Sequence, residues 1–170
     1  MKKTNLLLTG AFAFALSMVA GSAMAADTID ADDFVEDASA AGVAEIETAK
    51  LALEKSTAAD VKAFAQSIIK DHTAANRELA TIASKKKLKV ATEAELLNKA
   101  KAAVLKQREG ESFNAAYANN QVSAHKDAIE LFKKASVSPD AELASFAVAT
   151  LPKLEHHLHV AQELAKTYPK

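Results

Sequence analysis

The chain has no cysteine and no tryptophan, and only 4 glycines, 3 prolines and 9 Phe or Tyr residues in 170. Each scarcity closes off a class of protein. Without cysteine there is no disulfide to staple the fold, no anchor site for a lipoprotein and no thiol nucleophile. So few glycines leave no phosphate-binding Gly loop and no Gly-flanked serine elbow. Beyond the N-terminus no stretch approaches the ~20 apolar residues of a membrane helix, and no alternating ten-residue strands suggest an outer-membrane barrel. The formal net charge is −1, so nothing general draws the chain to nucleic acid or anionic lipid.

The first residues form a targeting segment. Lys2 and Lys3 are a short positive region, Leu6 to Ala20 an apolar core, and Ala23-Met24-Ala25 places small residues at both cleavage-determining positions. This is a secretory signal peptide over residues 1–25, cut after Ala25. Its apolar stretch is short and contains Gly10, so it fails as a membrane anchor. The remaining 26–170 is one domain's length, with the net charge moved to −3 by loss of the two lysines. A periplasmic protein is expected, with no integral membrane segment after cleavage. The sequence leaves a homo-oligomer open.

What is abundant is Ala, Leu, Lys and Glu, the composition of long helices. Five are predicted. The first runs from about Asp30, as N-cap, to Lys55. The second follows Ser56-Thr57, with Thr57 and Asp60 as an aspartate version of the capping box, and runs to about Ser84. Lys85-Lys86-Lys87 closes it at the negative end of the dipole; a polyanion site is the competing reading of that run. A shorter helix opens at the Thr92…Glu95 capping box and ends by Gly110. The fourth spans about Glu111 to Ala135. The fifth opens at Ser138-Pro139-Asp140, with Ser as cap and Pro at the first helical position, and reaches about Lys166, kinked at Pro152.

Each long helix carries an apolar seam at four-three spacing. Val61, Ala65, Ile68, His72, Ala75, Leu79 and Ile82 form the second; Val122, His125, Ile129 and Phe132 the fourth. Leu143, Ala147, Thr150, Leu154, His157, Ala161 and Leu164 form the fifth. In the first, Ala38, Ala41, Glu45 and Ala52 share a face beside Gly42, Ile46 and Leu53. The expected fold is all-α, a four-helix bundle with one additional short helix.

The seams are broken by His72, His125, His157 and Glu45, one on each long helix. A buried polar group needs a hydrogen bond, a counter-charge or a metal. If the short helix carries the chain back across the bundle, the second and fourth helices run parallel, as do the first and fifth. His72 and His125 then both stand about 14 residues from their helix starts. His125 and His157 fit worst: counting through the intervening turn separates them by about two turns and puts Tyr117 nearer the level of His157.

Four stretches resemble the domain of unknown function 4142 family, exported proteins of the ferritin-like superfamily often labelled predicted outer-membrane proteins. They are Asp33-Phe34 with the Ala-rich helix through Glu45; Lys70-Asp71-His72-Thr73; Phe113 with Tyr117 and His125; and Leu151-Pro152-Lys153-Leu154 followed by His157-Leu158. The resemblance spans the whole mature chain. It implies a ferritin-like bundle and export, and brings no activity. Asn114 departs from it, since such sequences tend to have Asp after the Phe.

The superfamily's di-iron chemistry needs a Glu three residues before an inward His on each of two helices. Ile69, Val122 and Leu154 stand three residues before His72, His125 and His157, and none can bind iron. A di-iron enzyme is thereby excluded. Two readings of the buried histidines compete. In one, they form a hydrogen-bonded network with Tyr117 that sets helix register in an envelope or stress-related protein with no enzymatic role. In the other, Glu45, His72, His125 and His157 hold one transition-metal ion, with Asp71 and Tyr117 supporting the ligands from behind. A separate surface pair, Glu155 and His159, is four residues apart and could hold a divalent ion weakly. An interaction module is a third class, but no exposed aromatic or apolar stripe speaks for it.

Overall fold

The computed structural model describes residues 28–94 and 96–169, without the side chains of Leu96 and Leu97. The leader and Glu95 lie outside that range. Five helices follow in order: α1 (Ala31–Lys55), α2 (Ala59–Lys86), α3 (Leu96–Lys106), α4 (Gly110–Ser136) and α5 (Ala141–Thr167). No strand occurs among the described residues. None of the helices is long and apolar enough to cross a membrane.

The start of α1 keeps its expected cap position, and those of α2, α3 and α5 are built differently. Asp30 stands at the N-cap of α1 but makes no side-chain cap bond. At α2 the cap position is Ala58, and Thr57 takes no part; Ser56 Oγ accepts from Ala58 N–H at 3.1 Å and Asp60 Oδ1 from Val61 N–H at 2.8 Å. At α5 the cap is Asp140, whose Oδ1 accepts from both Glu142 and Leu143 N–H at 3.1 Å. Pro139 therefore precedes the cap. The carboxylate takes two of the helix's orphan donors, and Ser138 Oγ accepts from Asp140 N–H at 3.2 Å just before them. α3 starts four residues after Thr92, which lies in a bend.

Lys87 ends α2 in the left-handed region at φ 59°, and Leu88 N–H closes back on Ala83 O at 2.9 Å. The lysine run then bridges helices: Lys85 Nζ reaches Glu142 at 2.8 Å and Lys86 Nζ reaches Asp140 at 2.6 Å. Cations at the end of α2 thus meet acids at the start of α5, and both dipoles are served. α5 continues through Pro152, which has no N–H to give the Val148 carbonyl; Val148 is exposed, so water can take that role.

Contacts along the helices fix their directions. Phe34 meets Phe132 near one end of the bundle, and Ser56 Oγ donates to Asn114 Oδ1 at 2.7 Å near the other, so α1 and α4 are antiparallel. Lys86 with Asp140 and Tyr168 with Asp60 make α2 and α5 antiparallel in the same way. The chain therefore runs up, down, down, up, with α2 parallel to α4. The crossover is pinned to α1 at both ends. Ala91 N–H donates to Ser39 Oγ at 2.7 Å, and Lys55 Nζ reaches Arg108 O at 2.9 Å and pairs with Glu109. Asn114 thus has a structural use, since its amide oxygen ties α4 to the α1–α2 turn.

The interior is two apolar clusters, not one. Phe34, Val35, Leu79, Ile82, Phe132, Leu143, Phe146 and Leu154 form the first; Ala49, Val61, Phe64, Ile68, Phe113, Tyr117, Ala161 and Leu164 belong to the second. On every long helix the change-over falls at a polar residue. It is Glu45 between Ala38 and Ala49, His72 between Ile68 and Leu79, His125 between Ala118 and Ile129, and His157 between Leu154 and Ala161. A polar belt crosses the bundle at mid-height.

Candidate metal centre

Three helices deliver the imidazoles to that belt. His72 is 8 % exposed, and His125 and His157 are each 1 % exposed. Their ring centroids form a near-equilateral triangle: His72–His125 5.6 Å, His72–His157 5.7 Å and His125–His157 5.4 Å. One nitrogen from each ring lies within 4.8 Å of the other two, and these are the only such group of His and carboxylate side chains among the described residues.

His125 and His157, expected two turns apart, are the closest pair. The Cα count is not far wrong: His125 lies 11 residues before the end of α4 and His157 16 residues after the start of α5. Five residues are about 7.5 Å of rise. Side chains on a helix lean toward its N-terminus, and on antiparallel neighbours they lean in opposite directions. Here the lean carries His125 away from the α4–α5 turn and His157 toward it, so the rings close a gap that the Cα positions leave open. Tyr117 lies inside the second apolar cluster, its ring 6.1 Å from Phe113 and 6.2 Å from Phe64, and Phe64 is in turn 6.2 Å from His157.

The hydrogen bonds decide which nitrogens are free. His125 Nδ1 lies 3.0 Å from the Gln121 carbonyl, which can only accept, so Nδ1 carries the proton and Nε2 keeps its lone pair. His157 Nε2 lies 3.1 Å from Asp71 Oδ2, which assigns the proton to Nε2 and the lone pair to Nδ1; Ser67 Oγ is also within 3.4 Å. His125 Nε2, His157 Nδ1 and His72 Nε2 are buried and have no hydrogen-bond partner. A backbone carbonyl and a carboxylate behind the ligand are the usual outer supports of metal-bound imidazole, fixing tautomer and raising basicity. Asp71, itself held by Lys153 Nζ at 3.4 Å, provides one of them from α2 to α5.

The rings are neutral. Burial, followed by the neighbouring imidazoles His125 and His157, holds His72 down to about 3. Burial likewise takes His125 down to about 4, although its bond to the Gln121 carbonyl pulls the other way. Burial also lowers His157, against the raising effect of Asp71. Neutral imidazole is the ligand form.

Glu45 is 6 % exposed, and its Oε2 also lacks a partner. Burial pushes its carboxyl up to about 7, opposed by the Gln121 side-chain amide and by Lys101 of α3. It is not one of the group whose ligand atoms converge, but it lines the same cleft of about 680 Å³ as the three histidines. Burial, and then Glu45, raises Tyr117 well above its usual value. Glu155, His156 and His159 are exposed and form no such group.

Gln121 and Thr48 were not anticipated from the sequence, though both are buried in the belt, with Gln121 Nε2 3.4 Å from Thr48 Oγ1. The signal was there: Tyr117, Gln121 and His125 fall at successive i+4 positions, one polar ridge on a helix otherwise read through Val122. Val122 is only half-buried.

Residues 16–164 match a family model described as a domain of unknown function, DUF4142. No curated protein and no solved structure matches the chain.

Proposed function

The chain belongs to the DUF4142 family, whose description carries no activity, and we propose from its own residues that it binds one transition-metal ion between His72, His125 and His157. The observation that carries this reading is the set of three partnerless nitrogens. A structural network would spend its lone pairs on neighbouring hydroxyls or amides, because an unsatisfied buried polar atom costs about 1–3 kcal/mol. Here each ring instead keeps one bare nitrogen, and two of the three are held through their other nitrogen. The geometry needs little adjustment. Even with all three nitrogens 4.8 Å apart, their midpoint lies about 2.8 Å from each, and inward movement of about 0.7 Å per ring reaches the 2.0–2.1 Å of a zinc–imidazole bond. Neutral imidazoles suit Zn, Cu, Fe or Ni rather than Mg or Ca.

The wider setting of the reading is an exported, ferritin-like bundle. The residue 1–25 leader pattern supports delivery to the periplasm, and the up-down-down-up order of the long helices supports ferritin-like connectivity. The centre differs in kind from a di-iron carboxylate site, because imidazoles converge where carboxylates would predominate.

The test is metal analysis on tag-free protein stripped of metal, reconstituted with Zn(II) or Co(II) and exchanged into metal-free buffer. One equivalent is expected in the wild type, with affinity at least 100-fold lower in His72→Ala and in His125→Ala and unchanged in His159→Ala. A wild type that retains no metal after reconstitution ends the reading.

A further inference from the structure

Beside the imidazoles, the polar belt contains two buried oxygen atoms without partners, Glu45 Oε2 and Gln121 Oε1, and Tyr117 Oη, in the apolar cluster next to it, is a third. Glu45 is 6 % exposed, and Gln121 and Tyr117 are wholly buried. Their orientation is set from behind. Thr48 Oγ1 donates to the Ala44 carbonyl at 3.0 Å, so toward Gln121 it can only accept, and it takes the Gln121 Nε2 side at 3.4 Å. That leaves the amide oxygen of Gln121 free. The backbone carbonyl of the same residue holds His125 Nδ1, so the oxygen cluster and the imidazole cluster meet at Gln121. Glu45 lines the cleft that the three histidines line.

Tyr117 Oη is a hydroxyl that brings its own proton, but Glu45 Oε2 and Gln121 Oε1 are bare acceptors, and an occupant that brings protons satisfies them. Three imidazoles, for their part, leave a four-coordinate ion one position short, the arrangement of centres that keep a water or substrate on the metal. The two shortfalls are complementary. Resting on the metal reading above, we propose that the bound ion keeps an open coordination position on the Glu45 side, and that this position takes a small protic ligand, water first, which donates to the Glu45 side chain. Glu45 thus acts through the ligand and is not itself bonded to the ion. Its absence from the converging group favours this over direct coordination.

Copper(II)-loaded protein examined by pulsed electron paramagnetic resonance separates the alternatives. The wild type is expected to show imidazole nitrogen couplings together with an exchangeable-proton coupling from bound water, lost in D2O and on adding azide. Glu45→Gln keeps the shape and removes the carboxylate that favours a protic ligand over a proton-free anion. Azide is therefore expected to displace water at least 10-fold more readily in that variant. Three results overturn the proposal while sparing the metal reading. They are a wild type with no exchangeable proton and no response to azide, a Glu45→Gln variant that gains a water the wild type lacks, and an azide affinity within twofold in the two proteins. Absence of the imidazole couplings themselves overturns both.

Discussion

At one end of the bundle Phe34, Phe132 and Phe146 bury three aromatic rings with centroids 5.2 to 6.4 Å apart. Two or three turns along the same helices α1, α4 and α5, the belt of Glu45, His125 and His157 begins, and with His72 it packs three rings at similar spacing. Shape and burial are alike in the two places, and chemistry is not. The phenyl rings offer edges and faces that complete one another, so burial alone stabilises them. The imidazoles are just as dry, but each keeps a bare nitrogen that dispersion cannot satisfy. One region holds the fold together; the other weakens it unless something is bound.

That contrast can be broken from either side. Phe34→Ala removes a ring that is 1 % exposed and leaves a cavity among rigid neighbours, so a loss of about 3–5 kcal/mol is expected from urea unfolding, with or without metal. A loss below about 1 kcal/mol would mean that the aromatic end is not the anchor. The belt should next reveal itself through acid. A histidine held below its free value is neutral in the fold and protonated in the unfolded chain at intermediate pH, so stability falls as pH drops below 6.5 and goes on falling toward about 4 for His125 and about 3 for His72. Glu45, raised to about 7, works oppositely, since the folded form holds a proton that the unfolded chain releases above the ordinary carboxyl value of 4.5. His72 and His125 against one carboxyl give the metal-free protein a net loss of about 1.4 kcal/mol per pH unit in that window, and His157 acts in the same direction. A urea midpoint that is flat between pH 7 and pH 5 would contradict burial of the neutral rings.

The supports of the ligands come next in size. Asp71→Ala removes the acceptor of His157 Nε2–H and is expected to weaken metal binding 10- to 100-fold while leaving its stoichiometry at one. An unchanged affinity from competition titration would detach Asp71 from the site. The smallest effect is the most pointed. His125→Leu in metal-free protein removes an unsatisfied nitrogen and should raise stability by about 1 kcal/mol, the reverse of Phe34→Ala. Destabilisation there would favour the register-setting network.

Much of this was legible before any coordinates. Four long seams and a short crossover follow from periodicity, and the residues that interrupt the seams are those of the belt. What sequence spacing could not resolve was height. Counting Cα positions through the Val137–Asp140 turn sets His125 and His157 apart, because such a count ignores the lean of side chains on antiparallel helices. At Thr57 and Ser138 the sequence points to caps that the structure places elsewhere, for a local reason. Several residues with capping oxygens stand together at each start, and the winner depends on where the preceding turn points its N–H groups. Gln121 is hidden in the sequence because apolar periodicity puts the α4 seam on Val122, one residue off the ridge that Tyr117 and His125 define.

The central claim is that three imidazoles from three helices meet on one ion, and X-ray absorption at the zinc edge of the reconstituted protein tests it most directly. Three imidazole scatterers at about 2.0 Å are expected, together with one oxygen ligand that lacks the imidazole ring's multiple scattering. A spectrum with one imidazole or none, or one unaltered by His125→Ala, would place the metal elsewhere and leave the belt an unfilled polar layer.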